Sequence, residues 1–205
     1  GGCGTLANAF EERLNDLGVY IEFHKQLESI ELSEMDSKNN TNSLSALTFS
    51  GEEKIILGEN DIVISTIPIT KMTELLNAET DLWYRNLKIP CILVNKKVEL
   101  PGSYDWLYVD DSEIIFHRIT LQNSFSEEGI PDGHTILSLE IACSDGDKID
   151  ASSDDELINR SIEGLIELGI IKIDDVVTTH LIDAKNVYPA IFVGYEEELN
   201  KSKTI

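Results

Sequence analysis

The sequence predicts an α+β fold, a mostly antiparallel sheet flanked by a few helices. Short runs of β-branched and aromatic residues recur with turn residues between them, and the gaps are too short for helical crossovers. Other segments carry apolar residues at helical spacing instead. With 41% hydrophobic residues in 205, the chain is long enough to bury one substantial core or two small ones without metals or cross-links.

Leu6, Phe10, Leu14 and Leu17 line one face of a helix over 5–17, which Gly18 can end with a positive φ. Strands are expected over 19–23 and 27–32, followed by a polar hairpin tip over 37–43 with no periodicity. Further strands follow over 44–49, 54–57 and 62–67, the last ended by Pro68, which lacks a ladder donor. A short helix over 70–77 precedes strands over 89–95, 104–109, 114–120 and 135–142, with Pro131-Asp132-Gly133 as one of the turns between them. Ser153 and Glu156 form a capping box ahead of Leu157, Ile158, Ile162, Leu165 and Ile166, so a helix over 154–168 is expected to end at Gly169. The chain then returns as a strand over 174–184, bends at Val187-Tyr188-Pro189, and begins a helix at Tyr195.

Acidic residues outnumber basic ones 38 to 16, for a formal charge of −22. So negative a surface repels phosphate backbones and anionic lipid, which argues against nucleic acid and membrane surfaces as partners. No run of eighteen apolar residues predicts a membrane span. Cys3, Cys91 and Cys143 are odd in number and widely spaced, which fits a reducing, cytoplasmic compartment better than a disulfide framework. His24, His117, His134 and His180 have no partner at metal-ligand spacing, and no metal is expected.

Gly2-Cys3-Gly4-Thr5-Leu6-Ala7 fits a dinucleotide-binding pattern, with Glu22 further on as its acidic residue. That pattern needs a strand before the glycines, and only Gly1 precedes them. The preferred reading is therefore a glycine turn that starts a helix near a ligand or a neighbouring strand. A free-standing nucleotide-binding module and a non-catalytic acidic interaction domain are the alternatives of another class.

Several motifs occur together and in order: Gly1-Gly2-x-Gly4-Thr5-Leu6, Leu17-Gly18-Val19-x-Ile21, Leu27-x-x-Ile30 and the run from Asp61 to Pro68. They resemble the middle of the flavin-containing amine oxidase superfamily. Trp83-Tyr84-Arg85-Asn86-Leu87, Ile115-Phe116-His117-Arg118-Ile119 and Val187-Tyr188-Pro189 resemble the branch that includes UDP-galactopyranose mutases and protoporphyrinogen-oxidase-like proteins of surface polysaccharide synthesis. The resemblance implies the substrate-side portion of an FAD-linked fold. Residues 1–76 would belong to the FAD side, 77–190 to a substrate-binding antiparallel sheet, and 191–205 to the start of a helix.

The family's FAD fingerprint and its second FAD segment would lie outside this sequence. Both ends read as severed, so the expectation is a piece of a larger enzyme, inactive alone and not holding FAD tightly. The flavin would carry the chemistry of a mutase or of an oxidase, on a nucleotide sugar or another small molecule. Exposure of surface that the rest of the enzyme would cover makes a homodimer an expectation too.

By this resemblance Gly1, Gly2 and the backbone of Leu27 would contact FAD, while Arg118, Tyr188 and Arg85 would be substrate-binding. Arg118 is expected on a strand face with Phe116 and Thr120, opposite Ile115, His117 and Ile119. A planar cation fixed there can grip a diphosphate through two parallel hydrogen bonds. A structural ion pair with one of the 38 carboxylates is the alternative. Arg85 follows Trp83-Tyr84, so ring stacking or a buried pair is weighed there before substrate contact. Tyr188 either presents its phenol to a cleft or is a core tyrosine with a satisfied hydroxyl.

Overall fold

A computed structural model describes residues 3–33 and 43–204. In chain order its elements are α1 (Cys3–Asp16), β1 (Leu27–Leu32), β2 (Leu44–Phe49), β3 (Glu53–Ile56), α2 (Ile69–Leu75) and β4 (Tyr84–Val94). These are followed by β5 (Trp106–Tyr108), β6 (Arg118–Leu121), β7 (Thr135–Cys143), α3 (Asp154–Glu167), β8 (Val176–Pro189) and α4 (Tyr195–Lys203). Every strand pair among the described residues is antiparallel, as the short connections require. The chain divides into two compact units, one holding Tyr84–Ala190 with described residues up to Phe10, the other holding Glu11–Trp83 and the residues from Ile191 on.

The first unit is a five-stranded sheet in the order β5-β6-β7-β4-β8, with α3 on one face. Ser153 starts α3 as expected: its Oγ accepts from the Glu156 N–H at 3.2 Å, satisfying one of the helix's orphan donors. Gly169 ends it at φ 70, a conformation that costs a residue without Cβ nothing. Leu157, Ile162 and Leu165 are buried against Ile92, Val94, Ile119, Leu121, Leu137, Leu139 and Ile141 of the sheet. Each such side chain removed from water contributes about 1.5–3 kcal/mol. β4 is an internal strand and carries Pro90; its pairing with β7 is interrupted between Lys88 and Cys91, where proline has no N–H to donate.

At one end of the covered face Lys88 is nearly buried, and it pairs with Asp183 at 2.8 Å and Asp150 at 3.5 Å. The loop after β7 is folded around its own carboxylates. Asp147 accepts from the N–H groups of Ser144 and Asp150, and Asp150 accepts from Gly146 N–H and from Lys185. The backbone hydrogen bond from Gly146 and then the Lys185 ammonium hold the Asp150 carboxyl down at about 2.

The second unit contains the sheet β1-β2-β3, α2 and α4. Among the described residues its buried apolar ones are Ala46, Leu47 and Leu82, and its two chain segments are tied by Thr80 Oγ1 to Ser202 Oγ at 2.9 Å and by Asp81 N–H to Glu198 at 3.0 Å. α1 ends at Gly18, φ 78, as its sequence requires.

Three expectations are corrected. Segments 19–23 and 62–67 have the composition of strands but do not form them. Tyr20, Ile62 and Ile64 are at least 85% exposed, and an extended segment without a neighbour to pair with is not a strand. Val187-Tyr188-Pro189 is not a bend but the end of β8, with Tyr188 opposite Arg85 and Pro189 opposite Tyr84. The strand expected over 114–120 begins only at Arg118, and Phe116 is not on Arg118's face: it is 1% exposed, in the core with Ile119 and Leu121. The alternation fails because residues 111–117 lie outside any strand, and a period of two does not hold there. Of the hairpin tip over 37–43, all but Ser43 lies outside the described residues.

Candidate functional site

The face of the five-stranded sheet opposite α3 is open, and its residues follow from the register. Directly opposed residues share a face, so Tyr108, Arg118 and Glu140 form one row. Trp106, Thr120, Ser138, Cys91 and His180 form the next. Over this face lies a cleft of about 680 Å³, within the size range of small-molecule sites. Arg118 and Glu140 stand in its charged part, Thr120, Gln122 and Ser138 in its polar floor, and Ile89, Phe125, Ile130, Ile136 and Ile182 make its apolar lining.

Glu140 organises the charged part. It lies on β7, a strand paired on both sides, and is 8% exposed. Its Oε1 accepts from Arg118 Nη2 in an ion pair, and its Oε2 lies 3.5 Å from the Tyr188 hydroxyl and 3.6 Å from His117 Nε2. The Arg118 guanidinium is also held over Trp106, 5.9 Å from the ring centroid. Burial alone would lower the Arg118 pKa. The hydrogen bond and charge of Glu140, with smaller contributions from Tyr188 and Tyr108, more than offset this, and the net shift is upward.

His117 stacks on Tyr108 with centroids 6.4 Å apart, and Tyr108 meets Trp106 edge-on at 5.3 Å. Burial pushes the His117 imidazole below its ordinary range; the Glu140 charge works against that shift, and the Arg118 and Arg85 charges reinforce it. This aromatic rim and the hydrogen bond from Gln122 Nε2 to Ser138 Oγ at 3.0 Å complete the surroundings.

The three residues assigned to substrate by resemblance are therefore on one face. Arg118 and Tyr188 share the Glu140 carboxylate, and Arg85 lies opposite Tyr188 across the β4–β8 pair. The ion-pair reading of Arg118 is realised with Glu140, while Tyr188 is 42% exposed rather than a core tyrosine. Arg85 makes no ion pair and no ring stack among the described residues, so it is a half-buried cation at the open face.

Glu140 itself was hidden in a sequence with 38 carboxylates. Its signal is an acid at an alternate position of an otherwise apolar strand, two residues from Ser138 and on the same side.

Of the residues assigned to FAD, Gly1 and Gly2 lie outside the described residues. Leu27 starts β1, an edge strand of its sheet. The neighbouring Gln26 turns both backbone groups inward: its C=O accepts from Ser50 N–H at 2.8 Å and its N–H donates to Ser50 Oγ at 3.1 Å. Leu27 itself lies opposite Phe49 of β2, with a register irregularity between it and Ser29. No group of three or more potential ligands among the described residues could hold a metal ion, and no described helix is long and apolar enough to cross a membrane.

No protein-family model matches the sequence, and no curated protein matches it. Solved structures do share the fold. A crystal structure of reduced UDP-galactopyranose mutase superimposes with a TM-score of 0.75 at 21% identity, covering 96% of this chain and 42% of that one. A protoporphyrinogen oxidase-like protein from Exiguobacterium sp. 255-15 superimposes with a TM-score of 0.67 at 17% identity, again over 96% of this chain and 42% of that one. The α+β arrangement of antiparallel sheets and helices is thus one found within two larger proteins, and the chain spans about two-fifths of the length of each.

Proposed function

We propose that this chain is the substrate-side part of an FAD-dependent enzyme that acts on a nucleotide sugar, in the manner of a UDP-galactopyranose mutase. The observation that carries this reading is the gathering of Arg118, Tyr188 and Arg85 on one open sheet face. The fold shared with a UDP-galactopyranose mutase supports it.

In this reading Arg118, fixed in orientation, and Arg85, free of an ion pair, grip the diphosphate with charge-assisted hydrogen bonds. Tyr188 adds a phenolic donor. Thr120, Gln122 and Ser138 offer hydroxyl and amide groups to sugar hydroxyls on the cleft floor. A bound flavin supplies the reacting centre, and the Leu27 backbone, with Gly1 and Gly2, belongs to its cradle. The enzyme works in the cytoplasm on precursors of surface polysaccharide, and the 205-residue chain alone does not retain FAD.

A second reading, an amine-oxidase-like oxidoreductase with a less polar substrate, is favoured by the apolar lining of the same cleft and by the second structural neighbour. Calorimetric titration of the chain with UDP-galactose tests the first. Saturable binding is expected, weakened about tenfold or more by Arg118→Lys or Arg85→Gln, since a hydrogen bond to a charged group contributes about 1.5–3 kcal/mol. No binding, or binding indifferent to both substitutions, contradicts it.

A further inference from the structure

We infer that Glu140 is a positioning residue, a buried carboxylate that fixes Arg118 and Tyr188 in one geometry so that the guanidinium meets a phosphate already oriented. This rests on the reading of Arg118 as a phosphate-binding residue.

Glu140 pairs directly with Arg118 across β6 and β7, and its strand is flanked on the other side by β4, so its carboxylate starts from an internal strand of the sheet. Its two oxygens are divided between donors from different strands. Oε1 takes Arg118 Nη2 from the neighbouring β6, whereas Oε2 faces Tyr188, which belongs to β8 beyond β4. One side chain thereby ties together two residues that no direct strand pairing connects.

A pair this buried is a poor stability device, because desolvating both charges consumes most of their attraction. What it supplies is direction. Arg118 keeps a buried Nε with no hydrogen-bond partner, a cost that the hold on the rest of the guanidinium must offset. Without that hold, the long side chain would have to give up rotamer freedom each time a ligand bound.

The charge of Glu140 acts in the opposite sense, since it partly cancels the cation that attracts the anion. Orientation and charge therefore separate by substitution. Glu140→Asp keeps the charge but shortens the reach, and Glu140→Gln keeps the reach and an acceptor oxygen but removes the charge.

The test uses the 205-residue chain and two measurements. By nuclear magnetic resonance, the Arg118 Nε–H is expected to exchange with water at least about tenfold more slowly than those of the exposed Arg13 and Arg160, and Glu140→Asp is expected to abolish most of that difference. With inorganic pyrophosphate as the ligand, Glu140→Asp is expected to bind about fivefold more weakly than the parent chain, and Glu140→Gln as tightly or up to about threefold more tightly.

An Arg118 Nε–H that exchanges as fast as the exposed arginines overturns the inference, and so does Glu140→Asp binding as tightly as the parent. A parent chain that ignores pyrophosphate defeats the phosphate-binding reading. The exchange measurement still decides whether Glu140 fixes Arg118.

Discussion

Along β7, Leu137, Leu139 and Ile141 are at most 1% exposed and packed beneath α3, while the interleaved Ser138 and Glu140 face the cleft. Along β6, Ile119 and Leu121 go to the core, while Arg118 and Thr120 go to the other side. The same strands thus carry two chemistries in alternate residues. The covered face is held by apolar burial, which is non-directional and large. The open face is held by a few directed contacts, and it has cations, hydroxyls and aromatic rims to offer a ligand. Stability and binding should therefore respond to different substitutions, although the residues involved are neighbours in sequence.

The strongest way to break the contrast is Phe116→Ala. Phe116 is 1% exposed in the core, and its loss should cost about 3–5 kcal/mol by chemical denaturation. Nucleotide-sugar binding by the molecules that remain folded should be unchanged. Overpacking the same place should cost less. A Cβ on Gly164 would meet Phe116 Cε1 at 3.0 Å and Ile114 Cγ2 at 3.3 Å, so Gly164→Ala is expected to lower stability by about 1–3 kcal/mol.

On the open face, Ser138→Ala removes the partner of Gln122. Its stability cost should be about 1 kcal/mol, the scale of one hydrogen bond, with a larger proportional effect on binding measured by calorimetry.

The smallest effects are those of pH. His117 has a folded pKa below its ordinary value, so the unfolded chain takes up the proton first. Its contribution is intact above about pH 6.5 and is lost as pH falls from there through the lowered folded value. The thermal midpoint should therefore fall less steeply between about pH 7 and pH 5 in His117→Gln than in the parent chain. Asp150, held at about 2, contributes above the ordinary carboxylate range and loses that contribution as pH falls through about 2. Asp150→Asn should flatten this acid limb of the midpoint profile.

Legibility in the sequence followed locality. α3 could be read because its cap, its apolar period and its terminal glycine are all local signals, and β7 because its run is long and apolar. Segments 19–23 and 62–67 misled because a strand needs a partner, which no local pattern encodes. Alternation places Thr120 correctly on Arg118's face but misplaces both Phe116, which is in the core, and His117, which lies beside Glu140, because a period of two does not extend into the irregular segment before β6.

Arg118, Tyr188 and Arg85 can be named from motifs, but the carboxylate that Arg118 and Tyr188 share cannot. Glu140 is 22 residues from Arg118 and 48 from Tyr188, and only the register of the sheet joins them. Likewise, the sequence neighbours of Arg85 suggest ring stacking, and the structure shows no such stack among the described residues.

The central claim, that the open face and not the covered one receives the ligand, is tested most directly by mapping resonance shifts while UDP-galactose is added to the chain. Shifts concentrated at Arg85, Arg118, Thr120, Ser138 and Tyr188, with Ile92, Leu137 and Leu165 unmoved, are the expected result. Shifts centred on α3 or scattered over the second unit would contradict it.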